Sequence, residues 1–307
     1  MPSEPSSSPA RARTAIITRT KDRTLLLRRA IESVLSQSDG DWIHVVVNDG
    51  GEEAPVRALL DSYRSQYRGR LLFLHSDNSR GMEAASNSGI AASQSEFLLI
   101  HDDDDSLQPD FLEKTVGYLL HPPARSVKGV ACLATLVEER LDGDHIVVER
   151  QKLFRALGSC VLASEVAVSN PIPPISFLFR RSALDQIGTF DEELPVLGDW
   201  DFLLRFVARF DIGVIPEPLA NYHVRPRGLG NSANSVIGDM ARHQFYENVV
   251  RNRVMRHGNA ALAILAQQGA VTEPARRKLE IIYGHPVLGR VIRAWSKFVN
   301  SRVPPSP

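Results

Sequence analysis

Between Thr14 and Ile100 the chain alternates between two apolar periods, four short runs being separated by three longer stretches. Thr14–Thr18, Trp42–Val47, Leu71–Leu74 and Phe97–Ile100 are short apolar runs suited to strands, the second of them apolar enough to be covered on both faces. Between them the apolar residues recur three and four apart: Leu26, Leu27, Ala30, Ile31, Val34 and Leu35, then Val56, Leu59, Leu60, Tyr63 and Tyr67, then the stretch from Gly81 to Ser93. Strand and helix in strict alternation predict an α/β fold with a parallel, doubly wound sheet. Such a sheet gathers the segments that follow its strands along one rim, and that rim is where ligands bind. Thr18, the turn Asn48-Asp49-Gly50-Gly51 and the run Asp102-Asp103-Asp104-Asp105 all fall there.

Four adjacent carboxylates repel one another, and a fold that keeps them together does so most readily around a cation. Hard ions such as Mg²⁺ and Mn²⁺ take carboxylate oxygens, and Mg²⁺ typically takes one or two of them together with substrate phosphates. Taken alone, the run reads equally as a solvated acidic turn or as an N-cap for the helix that begins near Pro109.

The remaining pattern predicts a helix to about Leu120, a strand over Val127–Thr135, and a hairpin over Val137–Val148 around Asp142-Gly143. A strand over Ile175–Phe179 follows, then a short helix closed by Gly188. A helix from Leu197 to Phe210 carries the stripe Phe202, Leu203, Phe206 and Phe210, and short strands at Ile212–Ile215 and Leu219–Val224 come after it. Beyond the loop 228–234 the pattern is helical. The expected organisation is a disordered Ser/Pro-rich tail (1–13), one α/β domain (14–228) and a helical extension (229–307).

Lys plus Arg equals Asp plus Glu at 36 each, which gives no global charge for nucleic acid. Cys132 and Cys160 read as small core residues in a reducing compartment. The chain has no run of 18 apolar residues, and its first residues lack a signal peptide's apolar centre, so a cytoplasmic protein is expected.

Taken in order, these residues resemble a family 2 glycosyltransferase over roughly 14–225. A Thr-x-Asn-Arg-like turn stands as Thr18-Arg19-Thr20-Lys21-Asp22-Arg23, followed by Ser33-Val34-Leu35-Ser36-Gln37. The family's Val-Asp-Asp-Gly-Ser turn appears as Val47-Asn48-Asp49-Gly50-Gly51, and its Asp-x-Asp-Asp motif as Asp102–Asp105 with Pro109-Asp110 behind it. Its Glu-Asp-x-Asp motif appears as Gly198-Asp199-Trp200-Asp201 with Arg205, so that Gly198 replaces a Glu. Arg80-Gly81 with Asn87-Ser88-Gly89 matches a further segment, in which Ser86 stands where an Arg is common.

The resemblance implies a GT-A-type, Rossmann-like domain that binds a nucleoside-diphosphate sugar and transfers the sugar with inversion to a glycan or lipid-linked glycan. Bacterial surface polysaccharide such as O-antigen or capsule is the implied setting. It makes Asp199 the base, with Asp201 as runner-up, and assigns the metal, Mn²⁺ or Mg²⁺, to Asp104, Asp102 and His223. Thr18, Thr20, Asp49, Arg80, Asp102 and Asp103 are implied for the donor nucleotide, Arg225 and Arg227 for phosphate, and Asp105 for a cap or support. Trp200 is implied equally as a sugar-stacking aromatic and as core, and Pro171–Ser176 as a shaper of the acceptor pocket. Each role has a chemical reason: a carboxylate can accept a base imide N–H, take a hydroxyl proton, or hold a divalent ion against a diphosphate.

The segment Pro286–Val299 has one apolar and one basic face, which suits an anionic membrane surface at the inner face of the plasma membrane, the catalytic domain, or a second copy of the chain. Other functions fit less well. A sugar nucleotidyltransferase would want glycines after the first strand, and a nicotinamide dehydrogenase a Gly-x-Gly-x-x-Gly. An EF-hand would want its Gly and terminal Glu. A non-catalytic glycan- or nucleotide-binding subunit on the same fold is the alternative that the Asn48 and Gly198 departures leave standing.

Overall fold

The computed structural model describes residues 12–226, 240–256 and 267–268. The four predicted strands are β1 (Thr14–Thr20), β2 (Trp42–Asp49), β3 (Leu71–Ser76) and β4 (Phe97–Asp102). They lie parallel in the spatial order β3-β2-β1-β4. The connecting helices are α1 (Thr24–Leu35), α2 (Glu53–Ser62), α3 (Arg64–Tyr67) and α4 (Met82–Ala91). Alternate residues of each strand enter different cores: Ala15, Ile17, Val45, Val47, Leu98 and Ile100 on one face, Ile16, Val46, Phe97 and Leu99 on the other. Burial on both faces accounts for the near-continuous apolar runs.

Past β4 the sheet becomes mixed. It continues through β5 (Ser106–Leu107), α5 (Phe111–Leu120), β6 (Val127–Asp142), β7 (His145–Leu153), α6 (Ala163–Val168), β8 (Phe177–Arg180), α7 (Leu184–Ile187), α8 (Gly198–Val207) and β9 (Asp211–Val224). β8 runs antiparallel to both β4 and β6, whereas β9 is parallel to β6 and antiparallel to β5. The hairpin β6–β7 turns at Gly143, whose φ of 60° lies in the left-handed region. The parallel expectation therefore holds for the first half of the sheet, where every connection is a helix. A hairpin link imposes antiparallel pairing on β6 and β7.

Several local expectations change. The helix expected over 54–67 divides at Tyr63, and Arg68, at φ 52°, ends its second part. The strands expected at 212–215 and 219–224 are one strand, β9, whose register against β6 shifts around Cys132–Ala134 and accommodates Pro218. Cys132 is buried, but Cys160 is exposed and so is not a core residue. Asp22, a residue of the type that caps helices, does not cap α1; its Oδ1 accepts the Glu52 N–H at 2.8 Å and ties two rim loops together. Arg13, expected in the tail, instead extends the sheet, its carbonyl accepting the Phe97 N–H at 3.0 Å.

α9 (Met240–Arg256) belongs to the expected extension and packs on α6 and α8. Arg251 is 2% exposed and donates to the carbonyls of Ala167 (3.1 Å) and Val168 (2.9 Å), its guanidinium 4.8 Å from the Trp200 ring centroid. The segment 286–299, Arg227 and the tail 1–11 lie outside the described residues.

Candidate active site

β4 leaves the sheet at Asp102, and the turn before β5 holds the other three aspartates, closed by Asp105 N–H donating to the Asp102 carbonyl at 3.1 Å. Each carboxylate meets its own donors. Arg19, from β1, donates to Asp102 Oδ1 through Nε at 3.1 Å and through Nη2. Thr20 Oγ1 donates to Asp103 Oδ2 at 2.7 Å and Arg23 Nε does so at 3.2 Å. Asp103 Oδ1 lies 2.5 Å from Arg23 Nη2, although outside hydrogen-bond geometry. Asp104 pairs with Arg225 and, at 3.6 Å, with Arg23. Asp105 Oδ1 accepts the backbone N–H of His223 at 2.8 Å. The acidic turn is therefore an inward-facing, cation-braced structure. It is not solvated, and α5 begins after Asp110 with no side-chain cap.

Beneath it, Glu139 of β6 collects three cationic or donor groups. Arg29 reaches it bidentately at 2.7 and 3.1 Å, Arg225 Nη1 at 2.8 Å, and His223 Nδ1 at 2.8 Å. Burial alone would raise the Glu139 carboxyl, but the bonds from His223 and Arg29 carry it down to about 2. His223 Nε2 faces Ser106 Oγ at 3.0 Å, so both ring nitrogens have protein partners. Arg225 is 1% exposed and bridges Glu139 to Asp104.

Burial disfavours charge on Asp103 and Asp105, and both carboxyls lie above the usual range, the neighbouring aspartates adding to the effect. Burial acts the same way on Asp102, but Arg19 outweighs it and keeps that carboxyl low.

Asp199 stands apart, in the first turn of α8. Its Oδ2 accepts the Asn170 amide at 2.7 Å, and its Oδ1 accepts the Trp200 N–H at 2.8 Å. Burial raises its pKa, a shift that the Trp200 N–H and Arg19 oppose. It borders an apolar pocket walled by Ile100, Ile172, Pro174, Phe190 and Phe202, so β4 supplies one wall two residues before Asp102. Ile172 and Pro174 bring the Pro171–Ser176 segment to this pocket. Asp201 pairs instead with Arg205 Nε at 2.8 Å, on its own helix. Trp200 is core: it is 2% exposed and its Nε1 donates to the Val166 carbonyl at 2.7 Å.

The residues expected at the nucleotide divide. Thr20 lies at the rim against Asp103. Asp49 holds the loop 79–81 through Ser79 Oγ (2.7 Å) and the N–H groups of Arg80 (2.8 Å) and Gly81 (2.9 Å). The Arg80 guanidinium meets Glu192 at 2.8 Å. Thr18 does not reach the rim: it shares a face of β1 with Thr20 but stands two residues deeper in the sheet. It is fully buried, its hydroxyl 2.7 Å from His44 Nε2 and 3.0 Å from His101 Nδ1. That chain continues to the Tyr67 hydroxyl, 2.7 Å from His44 Nδ1, and to the Asp105 carbonyl, 3.3 Å from His101 Nε2.

Among the described residues, no three His, Cys, Asp or Glu side chains converge as a closed metal cage. A hard cation that completes its shell with phosphate oxygens and water does not need one. Asp102 suits that role: its side chain is 24% exposed, and both Arg19 bonds fall on Oδ1. Asp104, expected as a ligand on the same turn, is paired with Arg225 and Arg23.

Four contributors are not legible from motifs: Glu139, Arg29, Asn170 and Glu83. Glu139 sits in a polar stretch, Glu138-Glu139-Arg140, and the signal for it is its two-residue spacing from buried Val137 on one strand. Asn170 follows α6 with no pattern of its own.

The sequence model of the family described as Glycosyl transferase family 2 matches residues 15–188. An uncharacterized glycosyltransferase of Bacillus subtilis (strain 168), YwdF, is 26% identical over 286 residues, 91% of this chain and 99% of that protein. A pre-mycofactocin glycosyltransferase of Mycobacterium tuberculosis (strain ATCC 25618 / H37Rv) is 23% identical across 87% of this chain, which spans 53% of that protein. Among solved structures, S. aureus TarS 1-349 in complex with UDP-GlcNAc is similar with a TM-score of 0.61 and 16% identity, covering 79% of this chain and 66% of that one. The mannosyltransferase PcManGT from Pyrobaculum calidifontis, in complex with GDP-Man and Mn²⁺, gives a TM-score of 0.54 at 15% identity over 95% of this chain and 90% of its own. At these identities the structural likeness carries the fold.

Proposed function

The chain belongs to glycosyl transferase family 2, and from that premise we propose that it transfers a sugar, with inversion, from a nucleoside diphosphate to a glycan or lipid-linked glycan hydroxyl. The observation that carries this reading is the relation of Asp199 to β4: a carboxylate with a raised pKa borders an apolar pocket whose wall, Ile100, leads directly into Asp102. Asp199 takes the acceptor's hydroxyl proton as that oxygen attacks the anomeric carbon, and the bond from that carbon to the diphosphate breaks on the opposite side. Asn170 and the Trp200 N–H hold the carboxylate beside the pocket, and the aromatic walls keep water from competing as acceptor.

Asp102 and Asp104 would hold a divalent cation, which supplies charge neutralisation and Lewis-acid support to the departing diphosphate. Thr20 and Asp103 are the donor-side contacts we favour, with Asp49 and Arg80 fixing the loop 79–81 beside them. The reading of His223 as a metal ligand requires it to exchange its bond to Ser106. A bacterial surface polysaccharide is the setting we favour for the product. Among the described residues no helix is long and apolar enough to cross a membrane. The test is calorimetric titration with UDP, GDP and dTDP, with and without Mn²⁺, followed by donor consumption with the sugar nucleotide of whichever base binds. Metal-dependent binding and turnover support the proposal; absence of binding to all three sinks it.

A further inference from the structure

Gly198 opens α8 directly before Asp199, and its backbone is not in the left-handed region, so conformation does not require a glycine there. Space does. A Cβ at 198 would lie 2.4 Å from both Cδ and Oε1 of Glu83 and 2.6 Å from its Cγ. Glu83, in the first turn of α4, is 4% exposed, and its Oε2 is buried without a hydrogen bond. Its cation is Arg19, whose Nη1 lies 3.8 Å from that oxygen. The same Nη1 donates to Ser86 Oγ at 3.2 Å and to the Met82 carbonyl at 3.4 Å, while Nε bonds Asp102 at 3.1 Å.

A line of contact thus runs from Asp102 through Arg19 and Glu83 to the residue that precedes Asp199. Position 86, where the sequence carries Ser in place of an expected Arg, receives a guanidinium from residue 19. Position 198, where it carries Gly in place of an expected Glu, receives a carboxyl from residue 83. We propose that Arg19 and Glu83 are positioning residues for Asp199, a buried strut that sets the base relative to Asp102 and that stands in for the motif positions 86 and 198. The inference rests on the glycosyltransferase reading above. A buried carboxyl with an oxygen left without a hydrogen bond is costly to fold. Helix-dipole stabilisation of α4 would be served as well by an exposed acidic residue in its first turn, so it does not account for the burial.

The experiment measures donor-sugar consumption and thermal midpoint on the full chain for Glu83→Ala, Gly198→Glu and the two combined. Glu83→Ala is expected to lower kcat about ten- to a hundredfold, leaving the donor KM within about threefold. Gly198→Glu alone is expected to lose activity through overlap, and the combined variant to recover about tenfold over Glu83→Ala, because the carboxyl has been returned from the other side. Wild-type kcat in Glu83→Ala, or a folded combined variant no better than Glu83→Ala, overturns the strut. Should Glu83→Ala not fold, Glu83→Asp, which shortens the strut by one methylene, is read instead: loss of kcat supports the proposal and full kcat overturns it. Packing is checked without activity. Gly198→Ala should lower the thermal midpoint in the wild type and leave it unmoved in the Glu83→Ala background; equal losses overturn the contact. A wild-type chain that consumes no UDP, GDP or dTDP sugar would instead sink the glycosyltransferase reading, a result distinct from either.

Discussion

Asn170 and Asp199 are joined by a 2.7 Å hydrogen bond from the Asn170 amide to Asp199 Oδ2, across the gap between α6 and α8. Together with the Trp200 N–H on Oδ1, the bond fixes the carboxylate's rotation beside the pocket. Asp199→Asn keeps the volume and removes the proton acceptor. Turnover should fall by about 10²–10⁴-fold, the range for a lost general base, with nucleotide binding little changed. Single-turnover donor consumption beside calorimetric binding measures both; full turnover would move the base elsewhere, with Asp201 next.

An amide N–H donor favours an ionised carboxylate, and the Trp200 N–H acts in the same direction on Asp199, whereas burial disfavours the charge. Since the base must be deprotonated to act, activity should disappear as pH falls, along a limb lying above the ordinary aspartate range. Asn170→Ala removes a donor to the charged form and should move that limb to higher pH. A limb that does not move in the pH profile of kcat would separate Asn170 from the base.

The acidic turn offers a test of the metal. Asp102→Ala and Asp104→Ala should each weaken nucleoside diphosphate binding by about tenfold or more in Mn²⁺. In EDTA they should change it little, by calorimetric titration. Equal losses in the two conditions would mean that these carboxylates support the turn without holding a cation.

Glu139 anchors Arg29, Arg225 and His223 in the interior. Glu139→Ala leaves buried Arg225 and half-buried Arg29 without their common partner, which typically costs about 3–5 kcal/mol. A drop of that order in the urea midpoint, at constant slope, is expected. A loss below about 1 kcal/mol would place the pairing among weak surface-type interactions.

Glu83 gives a stability difference with a definite sign. Burial, with Arg19 opposing, raises its carboxyl from an ordinary 4.5 to about 8. The folded chain therefore holds a proton that the unfolded chain has released between those values. Stability contributed at low pH should be lost as pH rises from 4.5 through about 8, relative to Glu83→Gln, which does not titrate. Urea midpoints of the two proteins should converge or cross over that interval; parallel curves would refute the shift.

Periodicity revealed the parallel half of the sheet because strands buried on both faces must be apolar throughout, and Ile16, Ile17, Val45 and Val46 meet that demand. It could not reveal that β8 enters antiparallel between β4 and β6, since strand direction depends on connections whose path leaves no period. At the site, Asp199 and the acidic turn were legible because their chemistry is concentrated in short motifs. Thr18 lies deeper than its motif position suggests, because a motif gives a place along the chain and not the depth at which the sheet buries it. Glu139, Asn170 and Glu83 were hidden for a common reason: each reaches the site from a different element, and their neighbourhood exists only after folding.

The buried chain from Tyr67 to the acidic turn has a direction. A carbonyl can only accept, so His101 Nε2 must carry the hydrogen that meets the Asp105 carbonyl. Burial keeps both imidazoles neutral, pushing His101 to about 4 and His44 well below its usual value. His101 Nδ1 is then an acceptor, which obliges Thr18 to give it the hydroxyl hydrogen. Thr18 must in turn receive from His44 Nε2, and His44 Nδ1 must receive from the Tyr67 hydroxyl. Every tautomer and rotor follows from one backbone oxygen. The row of dipoles points from the sheet's far side toward the aspartates, and reversing any one link would set two donors, or two acceptors, face to face in the dry interior.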